Sequence, residues 1–255
     1  PIVVGGALGV SPTQITLLVQ YALIIAGIST LIQLYPIGNI GSRLPIIFGV
    51  GFTYVPTLVA VGGNYGLASI LGAQLIGGVA TVLIGIFIKK IRKFFPNIVA
   101  GTVVFTIGLS LYPIAINYMA GGVNSPTYAS MQNWAVAAIT LVVVIGLSQF
   151  AKGYAKLAAI FLGIIVGYCV SLVLGIINFD PIREATWFAI PKPLEFGMEF
   201  DMPVIISVVI VSIINAVQAI GDLSATTMGG MDRNITDKEL SSGVIGSGIC
   251  TMIGA

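Results

Sequence analysis

Apolar residues run along this chain in long uninterrupted stretches, separated by short clusters of charge, proline and polar side chains. Windows of this kind lie near 13–35, 45–61, 67–88, 95–118, 134–150, 155–177, 203–228 and 240–255. A helix that crosses a bilayer needs roughly 20 apolar residues. The pattern therefore predicts eight membrane spans joined mostly by short loops.

The loops test that count, because consecutive loops must alternate sides of the membrane. With residues 1–12 outside, Arg43, then Lys89, Lys90, Arg92 and Lys93, then Lys152 and Lys156, then Arg233 and Lys238 all fall on the inner side. These are nine of the eleven basic residues. Only Arg183 and Lys192 fall outside, in a 178–202 connection where Asp180, Glu184, Glu195, Glu199 and Asp201 outnumber them. One miscounted span would reverse every later loop, so agreement with the positive-inside rule supports the count and the orientation together. Residues 89–93 and 152–156 are thereby predicted to be cytoplasmic, in a multi-pass protein of the cell membrane. The KKIRKFFPN run at 89–97 reads as basic residues beside a Phe94–Phe95 interfacial anchor, with anionic lipid as the partner. The 178–202 stretch carries Pro181, Pro191, Pro193, Trp187 and Phe188, and reads as lying along the outer interface.

Composition agrees. Of 255 residues, 57% are hydrophobic and 8% charged, against about 25% charged in an ordinary soluble domain. A soluble globule is excluded, and the lipid bilayer is the first partner. The net charge of +2 is too small and too local for nucleic acid. There is no histidine, which removes Ser-His-Asp and Cys-His catalysis and His-ligated metals. Cys169 and Cys250 both sit in apolar stretches and are expected to be small buried packing residues rather than a disulfide or a metal pair. An enzyme is the least expected class, with no catalytic residue, metal set or cofactor to assign. Pro1 opens the chain with no secretory signal in view, and the apolar segment LSSGVIGSGICTMIGA at 240–255 stops without a polar flank, so a fragment of a longer protein is expected. Glycine is abundant, 32 residues, as suits helices that must approach closely in lipid. The Gly163-x-x-x-Gly167 pair is expected to pack within the chain, with a homodimer left open. GVIGSG at 243–248 lacks the Lys-Ser/Thr of a phosphate loop.

Two anomalies mark candidate chemistry. Apart from Lys156 at the edge of the sixth window, Asp222 is the one charged residue inside the eight windows, and a charge at membrane depth costs roughly 2.5–3.5 kcal/mol on insertion scales unless it faces the bundle interior or water. Asn215, Gln218, Asp222 and Thr226 succeed one another at spacings of 3, 4 and 4, which puts them on one helix face. For Asn215 and Thr226, interhelical hydrogen bonding is the competing role. The second anomaly is the short 45–61 window, which begins at Pro45, contains Pro56, and carries Gly49 and Gly51 beside the β-prone run Phe52, Thr53, Tyr54, Val55. A broken span is expected there, of the kind that lines transporter sites. Phe52 and Tyr54 would offer aromatic faces to a planar ligand.

The order of spans, the GVGFTYVP segment, the FPNIVAGTVVFTIGLSL opening of the fourth window, the FDPIREATWFAIP connection and QAIGDLSAT together resemble the nucleobase–ascorbate transporter family, also called nucleobase:cation symporter-2. The Gly-Asp pair followed by small residues is most similar to its xanthine and urate branch. The resemblance implies an all-α polytopic membrane protein with fourteen spans in two inverted repeats of seven, of which this chain would hold about eight, with a short broken third-span element. It implies a core domain at 1–90 and 203–255, a gate domain at 94–176, and an outer interfacial connection at 177–202. Phe52 matches the third-span aromatic that packs against the base, Asp222 the eighth-span position linked to proton coupling or site organisation. Gln218 stands where the family pattern has Glu; a carboxylate can carry a proton and accept from two N–H groups, whereas an amide cannot titrate. The tenth span would lie beyond Ala255, so this segment alone is expected not to transport.

The implied function is a secondary-active permease for a purine nucleobase, xanthine, urate or a relative, taken up with H⁺ by alternating access. Phe52, Tyr54 and Gln218 would bind substrate, and Asp222, Asn215 and Thr226 would organise the proton-linked side. The alternatives are a uracil-type substrate, an anion transporter of sulfate-permease-like fold, for which a basic residue at the site is the discriminator, and a non-transporting membrane protein in which the polar stripe only packs.

Overall fold

A computed structural model of the chain describes residues 1–91, 97–122, 125–177 and 195–255. Among the described residues every regular element is helical. A short α1 (Ile2–Ala7) leads into α2 (Pro12–Leu34). Ser11 caps α2 by accepting from the Gln14 N–H, the Gln14 side chain reaches back to Ser11, and Pro12 sits at the helix start, where its missing N–H costs nothing.

After a tight turn closed by Ile37 and Ile40, residues 45–51 form no helix. A 3₁₀ turn at Phe52–Tyr54 then opens α3 (Val55–Ile86), which breaks at Gly66, where φ is 81° and ψ is −179°. The break is sharp. A Cβ placed on Gly62 would lie 2.8 Å from Ile70 Cδ1, although eight residues of straight helix rise about 12 Å. The windows at 45–61 and 67–88 are thus two segments meeting at Gly66, and the first is longer than expected because its helix continues to the break.

The remaining elements are α4 (Ile88–Ile91), α5 (Asn97–Ser110), α6 (Tyr112–Met119), α7 (Met131–Phe150), α8 (Tyr154–Leu157), α9 (Ala159–Val173), α10 (Met202–Met231) and α11 (Asp237–Ile253). Among the described residues each apolar window therefore falls mainly on a helical segment, the stretch 45–51 excepted. Five segments among the described residues are long and apolar enough to span by themselves: Pro12–Leu34, Phe52–Ile86, Gly101–Met119, Met131–Phe150 and Met202–Met231.

The chain divides into two compact units, one from residues 1–110 with the described residues from 195 onward, the other from 111 to the end of the described stretch at 177. In the first, α3 packs against both α10 and α11. Its core joins Leu44 and Ile88 to Ala216, Ile220 and Leu223 of α10 and to Leu240 and Val244 of α11. At the α3–α11 crossing the backbones touch: a Cβ on Gly248 would sit 2.8 Å from the Gly78 carbonyl oxygen, and one on Gly78 would sit 2.8 Å from that of Gly248. Apolar side chains gain little over lipid in a membrane, so such close approach supplies the attraction through dispersion. A fully buried Gln33 adds a polar clamp. Its Nε2 donates to Gly243 O at 2.8 Å and its Oε1 accepts from Ser42 N at 2.9 Å, tying the end of α2 to α11.

In the second unit, Gly163 and Gly167 of α9 lie against α7, as expected of packing within the chain: a Cβ on either would meet Val144 Cγ2 at 2.2 Å or Thr140 Oγ1 at 2.4 Å. That contact corrects the expectation for Cys169, which is exposed and free, while Cys250 is buried and free. Cys169 follows Gly167 by two positions, about 200° around the helix, and so points away from α7.

The Phe94–Phe95 anchor, Arg92, Lys93 and most of the 178–202 connection, including Trp187 and Phe188, lie outside the described residues. Its described end is strapped to the first unit. Tyr21 donates to Glu195, Glu199 N donates to Ala68 O at 3.1 Å, and Ser69 Oγ donates to Asp201 Oδ2 at 2.6 Å.

Candidate functional site

The site begins with backbone. Pro45, Gly49 and Gly51 discourage helix over 45–51, and Gly51 remains extended (φ −85°, ψ 159°) as the cap of the 3₁₀ turn. Pro56 falls at the start of α3 rather than inside it. The break therefore precedes Phe52, and the run Phe52–Val55, expected as part of an extended break, forms the helix entry.

This entry point changes what one hydroxyl can do. In the helices here, Thr and Ser hydroxyls commonly bond the carbonyl four residues back, as Thr30, Thr81, Thr140 and Ser224 do. Thr53 has no helical turn behind it. Its buried hydroxyl instead crosses to α10 and donates to Gln218 Oε1 at 2.5 Å. The next side chain, Tyr54, is half-buried and donates to Ser212 Oγ at 3.2 Å. Phe52 is 60% exposed, leaving its ring available for contact.

On α10 the buried face comprises Val204, Val208, Ser212, Ala216, Ala219, Leu223 and Thr227, and the polar stripe runs along its edge. The four stripe residues do different things. Gln218 is half-buried and accepts from Thr53, and the exposed Asp222 stands one turn on along the same face. Thr226 turns its hydroxyl back onto Asp222 O at 2.8 Å, a bond within its own helix. Asn215 lines a cavity of about 510 Å³ together with Ser29, Gly49, Tyr54, Gln74 and Glu195. On the other flank of the 3₁₀ turn, Thr53 and Thr57 line a second cavity of about 440 Å³ with Thr102 and Thr106 of α5 and Val211 and Ile214 of α10.

The structure thus sets the turn that carries Phe52 against α10 through the Thr53–Gln218 bond, with Asp222 one turn further along the helix. Tyr54 and Asn215 belong to the neighbouring cavity. Thr53, though part of the β-prone run, and Ser212 are not among the site residues that the sequence marks. Ser212 continues the stripe one step of three residues before Asn215, a signal that extending the period would have caught. Thr53 sat inside the β-prone run without any charge to mark it. Among the described residues no group of His, Cys, Asp and Glu is placed to hold a metal ion.

The family described as "Permease family" matches residues 1–255. A putative purine permease of Clostridium perfringens is 37% identical over 260 residues, covering 100% of this chain and 56% of that protein. A uric acid permease of Bacillus subtilis is 36% identical, covering 100% of this chain and 58% of its own length. A xanthine permease of the same organism is 33% identical, again over 100% of this chain and 58% of the relative. The chain spans little more than half the length of these relatives. Matched from end to end, it is a multi-pass membrane protein and not an enzyme, and it belongs to the permease family of the nucleobase:cation symporter-2 type that its motifs resemble.

Proposed function

We propose that the protein to which this chain belongs is a secondary-active permease that takes up xanthine, urate or a related purine nucleobase with H⁺. The observation that carries this reading is the bond from Thr53 to Gln218, which holds the turn carrying the exposed Phe52, at a backbone break, against the helix that carries Gln218 and Asp222. An aromatic face stacks on a planar base, and paired polar groups read its edge. The names of the purine, uric acid and xanthine permeases among the relatives point to the same substrate class.

In this reading Phe52 stacks, Gln218 bonds the polar edge of the base, and Asp222 carries or organises the proton-linked charge. Tyr54 and Asn215 shape the adjoining cavity, and Thr226 steadies the α10 backbone at Asp222. Residues 1–90 and 203–255 form the moving core, 94–176 the gate, and 89–93 and 152–156 face the cytoplasm, with alternating access between the two domains.

The test is uptake of radiolabelled xanthine, urate and uracil by the full-length protein in a host lacking its own nucleobase carriers. Saturable purine uptake that unlabelled purines suppress and uracil does not is the expected result. Correct membrane insertion without saturable uptake of any base removes the reading.

A further inference from the structure

We propose that Thr53 is a positioning residue for recognition: it fixes which way round the Gln218 amide faces, so that the site meets its ligand with a donor and an acceptor side by side. The inference rests on the nucleobase reading above and goes beyond it by naming the chemistry of the ligand edge.

A glutamine side chain can present its oxygen or its NH₂ group in either of two orientations that are nearly equal in shape. Here both neighbours select the same one. On one side the Thr53 hydroxyl donates to Gln218 Oε1 at 2.5 Å. It is buried at 7% exposure, and, at the first turn of its helix, it has no carbonyl four residues back to compete for its proton. On the other side the Asp222 carboxyl group stands four residues on along the same helix face, an acceptor that prefers the amide NH₂. The reversed amide would set an oxygen against that carboxylate and leave the buried Thr53 hydroxyl donating to nothing. Thr53 is therefore the half of the pair that holds the oxygen away from the ligand.

The consequence is chemical. With its oxygen engaged, Gln218 offers its free N–H as a donor, while the remaining lone pairs of Asp222 accept. Adjacent donor and acceptor groups complement a ring C=O next to a ring N–H, the lactam edge of an oxopurine. An edge with two adjacent N–H donors would leave one unpaired against the Gln218 NH₂ group. Position 53 thus sets preference among ligands although its own side chain bonds only to Gln218.

The experiment compares Thr53→Val, which keeps the shape and removes the hydroxyl, with Thr53→Ser, which keeps the hydroxyl, in the full-length protein. The readings are KM and Vmax for xanthine, and competition by 2-thioxanthine and 6-thioxanthine, in which a weak sulfur acceptor replaces one carbonyl oxygen. For Thr53→Val, KM should rise about tenfold, the scale of one net hydrogen bond. Vmax should stay within about twofold, and the preference for xanthine over the thio analogues should shrink, because only the bond to a carbonyl depends on amide orientation. Thr53→Ser should restore both KM and preference to within about twofold of the parent. A valine variant with the parental KM and preference overturns the proposal, and so does equal loss in Val and Ser, which would make the position one of packing alone. Thr53→Ala, read in the same way, covers the case in which valine prevents insertion. A parent protein that takes up no purine defeats the nucleobase reading itself, whereas an active parent with an indifferent position 53 defeats only this inference.

Discussion

The two compact units hold their helices together by different means. In the unit built from residues 1–110 and the described residues from 195 onward, polar side chains reach across long stretches of sequence: Gln33 to Gly243, Thr53 to Gln218, Tyr54 to Ser212, Ser69 to Asp201 and Ser241 to Gly85. In the described residues of the other unit, Thr140 and Ser171 bond back onto their own helices, and Asn133 and Tyr128 reach partners in the nearby 117–127 stretch. No residue of α7 is buried there, and α9 buries Ala159, Gly163 and Gly167. One unit is stitched by directional bonds as well as notched by glycines, and the other, among its described residues, is notched without such long-range bonds. Directional bonds fix positions to tenths of an ångström, and the candidate site lies in the unit that has them.

The largest effect should come from a place where the stitched unit also relies on a notch, between two backbones. A side chain at Gly248 would press on the Gly78 carbonyl and on Val82 N, both at 2.8 Å, and backbone cannot rotate away. Gly248→Val is expected to abolish folded protein in the membrane, read as loss of the monodisperse peak in size-exclusion chromatography of a fluorescent fusion. A normal peak would mean that α3 and α11 can separate without consequence. Next comes the clamp. Gln33→Leu leaves Gly243 O and Ser42 N without their buried partner, at about 1–3 kcal/mol for each group. A thermal melt in detergent should show it clearly. The notch of the other unit should cost less: Gly163→Ala pushes on the end of the Val144 side chain, an overpacking of about 1–3 kcal/mol that side-chain movement can relieve. If Gly163→Ala lowers the melting temperature more than Gln33→Leu, the contrast between stitched and notched units is wrong.

Much of this was legible in the sequence, and the physical reason is lipid. Spanning segments must be long and apolar, so the eight windows announce themselves, and charges must stay in loops, so Asp222 stands out. The third-segment break was legible from Pro45, Gly49 and Gly51, but its far edge was set too late. Phe52–Val55 have β-prone side chains, yet Pro56 suits a helix start, and that decides the local structure. The neutral polar residues were harder. Gln33 and Thr53 carry no charge to raise an alarm in an apolar run. What makes Thr53 important is a missing turn behind it and α10 opposite it, and neither is local to its sequence. The 3.6-residue period correctly aligned Asn215, Gln218, Asp222 and Thr226, but alignment on a face does not say which neighbour each meets. Asn215 faces a cavity, Gln218 a hydroxyl, and Thr226 its own helix.

The smallest expected effect separates sequence distance from unit membership. At the loop end of α11, Arg233 pairs with Glu239 in a two-pronged contact of 2.6 and 2.9 Å, and Thr236 caps the helix through the same carboxylate. This is the stitched unit, yet all partners lie within six residues. The Arg233 guanidinium and the Thr236 donors hold the Glu239 carboxyl down, from an ordinary 4.5 to about 2. A carboxyl depressed in the folded state contributes its full stability above the unfolded value, loses it as pH falls between about 4.5 and 2, and contributes nothing below. Because the pair stands largely in solvent, screening should reduce that contribution to below about 1 kcal/mol. Glu239→Gln should therefore lower the melting temperature slightly and evenly above pH 5, with the gap to the parent closing as the medium is acidified toward pH 2. A loss comparable to that of Gln33→Leu would show that any polar contact in this unit is costly to break, and that the reach of the bond across the sequence is not what matters.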